Sequence, residues 1–349
     1  MMKPNYKHLL QSTSSVHDAL ASLNELAADA ILFIVSDKNT LIGSLTDGDL
    51  RRGFLSGLNF ENPITDFIQG NPKKLQKGNY ALKDVINFRN SGYKILPVVD
   101  VNNQVVNIVN FRYFKSYLPL DAIIMAGGRG ERLKPLTDTL PKPLLKVGDS
   151  PIIEHNINRL INYGIEDIWI SIKYLGESIK DYFGNGKAKS ININYIEEDK
   201  ALGTIGALSL LDNLLQDHVL IMNSDLLTNI NFEEFFLFYL EHDADIAVAC
   251  IPYQVNVPYA VMETEGNFVK KLREKPTYTH FSNAGIYIIK KNIIDLIPNN
   301  SFYNATDLME QVINSGGKVA AYPLIGYWLD IGRHDDYIKA QEDINHIEF

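Results

Sequence analysis

Between Asp121 and Pro151 the chain reads DAIIMAGGRGERLKPLTDTLPKPLLKVGDSP. An apolar run of the kind that forms a buried strand ends at Ala126 and breaks into Gly127, Gly128 and Gly130, with Arg129 and Arg132 interleaved. Glycines let a backbone turn sharply and bring its N–H groups against a phosphate chain, and the arginines supply charge for the same oxygens. The combination predicts a cradle for a triphosphate. A Walker loop would need a lysine followed by Ser or Thr after its last glycine, whereas Glu131 and Arg132 follow Gly130. A dinucleotide fingerprint opens a helix, and Lys134-Pro135 arrives too soon for one. For a glycine cluster taken alone, an ordinary turn is the plain alternative.

The cluster does not stand alone, because Pro141-Lys142-Pro143 follows at a fixed distance. Together these residues resemble the signature of sugar-1-phosphate nucleotidylyltransferases, GGxGxRLxPLT followed by PKP, with the spacing kept throughout. The reaction that this resemblance implies is attack by a sugar-1-phosphate oxygen on the α-phosphorus of a nucleoside triphosphate, with release of pyrophosphate. Two polyanions must meet, so positioning and charge neutralisation carry the catalysis, and no protein nucleophile is required. Arg132 and Lys142 are then the catalytic cations. Mg²⁺ is the expected cofactor, and it takes oxygen ligands with only one or two protein carboxylates. Asp225 in HVLIMNSDLLT and Asp330 in YWLDIGRHDDY match the family's metal aspartates, although Ser224 stands where the family has glycine. The alternative for either aspartate is a turn or a helix cap.

Base recognition falls, by the same resemblance, to EEDKALGTIGAL, which is similar to the family's ExxxLGTAGAL loop and places Glu198 four residues before Leu202. Guanine offers two adjacent donor groups on one edge, so a carboxylate accepting both suits it and favours GTP; uracil and thymine present one donor between two carbonyls. A solvated glutamate is the alternative. Gly203, Thr204 and Gly206 are expected along the base and ribose, the glycines allowing close approach. On the sugar side the resemblance assigns Tyr259, Glu274, Lys275 and Asn283, with Lys275 on the sugar phosphate as a mobile point charge. Ala260 follows Tyr259 where the family has glycine, which leaves the hexose open.

These residues need strands to carry them, and from residue 121 onward the apolar runs AIIMA, DIWISI, ININYI, HVLIMN and DIAVACI alternate with helical stretches such as IEHNINRLINYG and FEEFFLFYLEHD. The pattern predicts an α/β fold with a Rossmann-like, mostly parallel sheet, whose ligands sit at the carboxyl ends of the strands. The first 118 residues differ. ILFIVSDKNTLIG (31–43) lies on ILPVVDVNNQVVN (95–107) without a gap, an internal repeat at an offset of 64 residues. Each copy is preceded by a helical stretch, VHDALASLNEL or LKDVINFRNSG, and ends in a charged amphipathic segment. This duplicated α/β unit, with repeats at about 8–60 and 61–118, resembles a tandem CBS pair, whose sites hold adenosine nucleotides. The first copy keeps the Thr and Asp of such a site, as Thr46 and Asp49, with Arg51 and Arg52 beside them for phosphate; the second offers Asn110 and Tyr113. The alternative is that Thr46 caps a helix and both arginines face solvent.

The expected division is therefore a CBS pair at 1–118 and a nucleotidylyltransferase domain at 121–349, joined by KSYLPL, too short and too rigid to let them swing apart. The whole most resembles CBS-containing guanylyltransferases acting on glucosamine-1-phosphate in nonulosonate (legionaminic acid) pathways. Mannose-1-phosphate guanylyltransferase, or another nucleotide and sugar pair, is the nearest alternative; a nucleotide-sensing binding protein without activity is the alternative of another class. A net charge of −9 over 349 residues argues against nucleic acid, and FFLFYL at 235–240 is too short to span a membrane. The single cysteine, Cys250, lies in an apolar run and excludes an intrachain disulfide. A cytoplasmic homo-oligomer is expected, with a regulatory nucleotide at the CBS pair.

Overall fold

The computed structural model describes residues 6–211 and 213–347, so the outermost positions of the two expected units lie outside the described residues. In the first copy of the repeat, β1 (Leu9–Gln11) leads through α1 (Val16–Leu26) to β2 (Leu32–Val35), β3 (Leu41–Leu45) and α2 (Asp47–Leu55), with β4 (Gln69–Gly70) bordering β3. The second copy runs through β5 (Leu75–Gln76), α3 (Leu82–Asn90), β6 (Ile95–Val99) and β7 (Val105–Asn110). Ser15 starts α1 and Thr46 starts α2 by the same device. In each, the hydroxyl accepts from the backbone N–H three residues on, whose aspartate accepts from the cap's own N–H.

The repeat is visible as a pseudo-two-fold contact. Asn39 Nδ2 donates to Val105 O at 2.9 Å, and Asn103 Nδ2 donates to Leu41 O at 2.9 Å. Both asparagines adopt left-handed φ, 63° and 61°, at the tips of equivalent turns. Phe33, Val35 and Leu41 pack there against Ile95, Val99 and Val105. The copies diverge after their last strands. Where β3 runs into α2, β7 ends in a turn, because the Asn110 side chain accepts from Arg112 N–H at 2.9 Å and its carbonyl takes Tyr113 N–H. The charged segment expected to close both copies is thus helical only in the first.

From Asp121 the chain forms β8 (Asp121–Met125), a small hairpin of β9 (Lys146–Val147) and β10 (Ser150–Pro151), α4 (Ile152–Asn162), β11 (Asp167–Ile172), α5 (Gly176–Phe183), β12 (Asn192–Glu197), β13 (His218–Asn223) and β14 (Leu226–Thr228). Then come α6 (Phe232–Glu241), β15 (Ile246–Asn256), a hairpin of β16 (Val261–Glu265) and β17 (Phe268–Arg273), β18 (Thr277–Lys290), α7 (Ala305–Asn314), β19 (Val319–Pro323), β20 (Trp328–Asp330) and α8 (His334–Asp343). Seven of these strands make one sheet in the order β12-β11-β8-β13-β18-β15-β19, all parallel except β18. The five apolar runs read from the sequence are β8, β11, β12, β13 and the start of β15. Strand β18 escapes that reading because its first half, TYTHFSN, is polar and exposed.

Alternate residues of β8 serve opposite faces, as the strand period of two requires. Ala122 and Ile124 pack with Ile153, Ile157 and Leu160 of α4 and Phe232, Phe235 and Phe236 of α6. Ile123 packs on the other side with Leu208, Leu308 and Val312. Cys250 is buried in β15, which raises its thiol pKa. Among the described residues no helix is long and apolar enough to cross a membrane.

The N-terminal half rests on the α4–α6 side of the sheet. Leu96, Val98, Val109, Tyr117 and Leu118 belong to the same apolar cluster as Ile157 and Tyr163. Arg89 makes a paired contact with Glu233 at 3.0 and 2.7 Å, and Leu118 N–H donates to Tyr163 O at 2.9 Å. Tyr117 OH donates to Glu166 Oε1 at 3.1 Å.

One buried carboxylate marks the opposite end of β8 from the glycine run. Asp121 is fully buried and accepts from Leu215 and Gln216 N–H at 2.6 and 2.9 Å, while its Oδ1 has no partner. Burial outweighs those bonds and raises its pKa from 3.8 to about 6. A raised folded-state value means that the native state holds the proton more tightly, so the group's stabilising contribution is present below pH 3.8 and is lost as pH rises through 6. Asp121→Asn keeps an acceptor for both N–H groups but leaves its amide N–H groups where Oδ1 has no partner, and is expected to stabilise the protein at pH 7.5 by on the order of 1 kcal/mol. The gain should fade below about pH 4 in thermal melts across that range.

Candidate active site

β8 and β13 are parallel neighbours, so both end at one edge of the sheet, where Met125 pairs with Asn223. Ser224 N–H donates to Met125 O at 3.1 Å and draws the next residue, Asp225, against the start of the glycine run. β14 then pairs antiparallel with β20, Leu226 opposite Asp330, and Ile331 N–H donates to Asp225 O at 3.0 Å. Two aspartates far apart in sequence are thereby set side by side. Leu133, Leu145, Val147, Leu227 and Ile331 form a small apolar cluster that holds these segments together.

Lys142 lies between them. Its Nζ donates to Asp225 Oδ2 and stands 4.0 Å from Asp330 Oδ1. The lysine side chain is only 10% exposed. Gly130 makes this closeness possible: its φ is +64°, and a Cβ there would lie 2.9 Å from Lys142 Cβ. Arg132 reaches the same place, its guanidinium 3.2 Å from the position of a Cβ on Gly332. Burial raises the Asp330 carboxyl above the ordinary carboxylate range, and the Asp225 charge adds to this, while Lys142 and Arg132 oppose it.

The carboxylate pair fits a divalent cation. Asp330 Oδ1 is buried with no hydrogen-bond donor, and the repulsion between two adjacent acids is what a bound cation relieves. Among the described residues no cluster of three or more His, Cys, Asp or Glu side chains could hold a metal.

Glu198 stands beside the glycine run. Its Oε1 lies 2.6 Å from where a Cβ on Gly127 would be; it accepts from buried Ser171 Oγ, and its other oxygen accepts from Leu202 N–H at 3.2 Å. It is a held carboxylate, not one loose in solvent. A side chain at Gly127 would collide with Glu198, and neither Gly127 nor Gly128 has positive φ. Arg129, 70% exposed, lies over the Tyr174 ring at 5.5 Å. Gly127→Ala is expected to displace Glu198 and raise the Michaelis constant for the nucleotide about tenfold, equal to ~1.4 kcal/mol, with turnover less affected. Steady-state kinetics with nucleotide varied would check it.

Gly203 and Gly206 lie against the protein's own backbone. A Cβ at Gly203 would meet Tyr303 O at 2.6 Å, and one at Gly206 would meet Ser301 O at 2.4 Å. The close approach is made by the protein's own 301–304 segment, and Thr204 Oγ1 accepts from Ala305 N–H at 2.8 Å at the start of α7. The sugar-side residues are also dispersed. Asn283 Nδ2 donates to Tyr287 OH at 2.8 Å, and Asn283 lies two residues from Gly285, which abuts Asn223 at the end of β13. Tyr259 is 75% exposed in the turn before β16, and Glu274 and Lys275 are exposed in the turn after β17. The structure thus unites Arg132, Lys142, Asp225 and Asp330, sets Glu198 by Gly127, and leaves Tyr259, Glu274 and Lys275 on a projecting arm.

In the N-terminal half, Asp49 is buried and accepts from Thr46 Oγ1 at 2.6 Å, Gln69 Nε2 at 3.0 Å and Arg52 at 2.5 Å. Those contacts lower its pKa against the opposing effect of burial. Arg51 is exposed. Thr46 is the cap of α2, as its alternative reading has it.

Comparison with known proteins places the C-terminal part. The chain is 32% identical over 230 residues to the bifunctional protein GlmU of Methanocaldococcus jannaschii, covering 64% of this chain and 54% of that one. It is 31% identical over 233 residues to a mannose-1-phosphate guanyltransferase of Schizosaccharomyces pombe, covering 63% of each. The chain therefore spans between about half and two thirds of these curated relatives. The crystal structure of HddC from Yersinia pseudotuberculosis superposes with a TM-score of 0.50 at 26% identity, over 64% of this chain and 99% of that one. A family model described as Nucleotidyl transferase matches residues 121–347, and the chain belongs to that family.

Proposed function

We propose that the chain transfers a nucleotidyl group from a nucleoside triphosphate, GTP by preference, to a hexose-1-phosphate, glucosamine-1-phosphate by preference. The observation that carries this reading is the Lys142–Asp225–Asp330 cluster at the carboxyl ends of β8 and β13, beneath the glycine run and beside Arg132. A sugar-phosphate oxygen forms the new bond to the α-phosphorus, the bond to the bridging β-phosphate oxygen breaks, and pyrophosphate leaves with that electron pair. Arg132 and Lys142 hold the charge that gathers on the transferring group, and backbone N–H groups of 126–130 orient the phosphates. Mg²⁺, held by Asp225 and Asp330, would supply charge neutralisation on the phosphate oxygens. Glu198 accepts from the base, and Tyr259, Glu274, Lys275 and Asn283 receive the sugar phosphate.

Relatives named mannose-1-phosphate guanylyltransferase support GTP, and keep mannose-1-phosphate as the second candidate acceptor. The test is pyrophosphate release with Mg²⁺, four nucleoside triphosphates and a panel of hexose-1-phosphates. Release should be fastest with GTP and glucosamine-1-phosphate. Nucleotide binding without release in any combination would instead make the protein a nucleotide sensor.

We assign residues 1–118 to a tandem CBS pair and 121–349 to the transferase domain. The reciprocal Asn39 and Asn103 contacts, at the repeat's own offset, support the pairing. A regulatory nucleotide would take Thr46, Asp49, Arg51 and Arg52. Equilibrium dialysis of the full chain with AMP, ADP, ATP, GDP and GTP, compared with Arg52→Ala, tests it. Equal retention by both proteins would remove this site.

A further inference from the structure

A polar side chain inside the apolar face of α4 holds the backbone on both sides of Asp225. Asn156 is 1% exposed and lies among Ile152, Ile153, Ile157 and Leu160, all fully buried. Its Nδ2 donates to Leu226 O at 2.9 Å and to Ser224 O at 3.4 Å, the two carbonyls that flank Asp225. Its own Oδ1 is buried with no partner. An apolar side chain of the same shape would take the donor from both carbonyls, so the amide ties Ser224 and Leu226 to α4 even though its own oxygen is unmet.

The same face of α4 continues the grip at helical spacing. Arg159, also buried, donates to Ile230 O, and Tyr163 OH donates to Asn231 Oδ1 at 3.3 Å. Three side chains on successive turns thus hold the segment from Ser224 to Asn231. Asn156 is the one at the carboxylate. From this geometry we infer that Asn156 is a positioning residue for the divalent-cation site, fixing the backbone from which Asp225 projects. The inference rests on the reading of Asp225 as a metal ligand given above.

Residues behind a ligand that set its orientation typically change metal affinity or activity by about 10–100-fold when replaced. Asn156→Asp keeps the shape and removes the donor pair; Asn156→Leu removes all polarity at nearly the same volume. Mn²⁺ binding, measured by electron paramagnetic resonance with GTP present and sugar phosphate absent, reads the site without turnover. Both variants should bind Mn²⁺ about 10–100-fold more weakly than the wild type. In parallel, kcat should fall while the Michaelis constant for the sugar phosphate stays within about twofold, with circular dichroism unchanged. Asp225→Asn serves as the reference for loss of the ion. If Asp225→Asn loses Mn²⁺ while folded Asn156→Asp binds it like the wild type, the positioning role is overturned and the metal site stands. If Mn²⁺ binding to the wild type does not depend on Asp225, the metal-site reading falls, and the inference with it.

Discussion

Replacing Asp225 or Asp330 by asparagine is expected to lower turnover by at least about a hundredfold, the scale of losing a main electrostatic contact in the transition state. Asp330 pairs with Leu226, the residue after Asp225, and Ile331 N–H donates to Asp225 O, so each variant keeps the backbone that carries the other. Burial, and next the Asp225 charge, raise the Asp330 carboxyl, so Asp330→Asn should be no less stable to heat, whereas Asp225→Asn gives up the ion pair with Lys142 and should melt somewhat lower while still folding. Loss of turnover without loss of fold is the signature of a ligand. Near-normal turnover in both folded variants would remove the metal role.

The second large effect is expected at Lys142. Removing its ammonium leaves Asp225 and Asp330 facing each other with no cation between them, and takes from the reaction a charge that is 10% exposed and already in place. Lys142→Ala should reduce kcat by about two to three orders of magnitude, comparable to deleting a preorganised donor, with little change in the Michaelis constant for the sugar phosphate. Lys275→Ala should do the reverse, raising that constant and sparing kcat, since Lys275 is exposed on the arm beyond β17. The opposite pattern would mean that the two lysines serve the other reactant.

Much of the central sheet was legible because buried parallel strands are continuous apolar runs, and β8, β11 and β13 are such runs. The glycine run and the lysine after it were legible because their chemistry is local and ordered. Other features depend on partners distant in the chain. Nothing in the spacing of Gly203 and Gly206 says that the backbone of 301–304 fills the space over them, and nothing near Glu198 names Ser171 as its anchor. Asn156 carried a signal that went unread, an amide at a core position of an otherwise apolar helix face. The turn at Asn110 was hidden for a different reason: a side-chain carbonyl there competes with the helix that the repeat pattern implied.

The shared apolar cluster across residue 121 separates two kinds of boundary. Kinship with the transferases begins at Asp121, yet Leu96, Val98, Val109 and Leu118 lie in one core with Ile157 and Tyr163. Cutting the chain at the edge of kinship would bare those side chains to water on both fragments, at roughly 25 cal/mol for each Å² exposed. A protease or an engineer looking for a seam would find it covered, and exchange of the N-terminal half with that of another transferase would have to bring the matching face along.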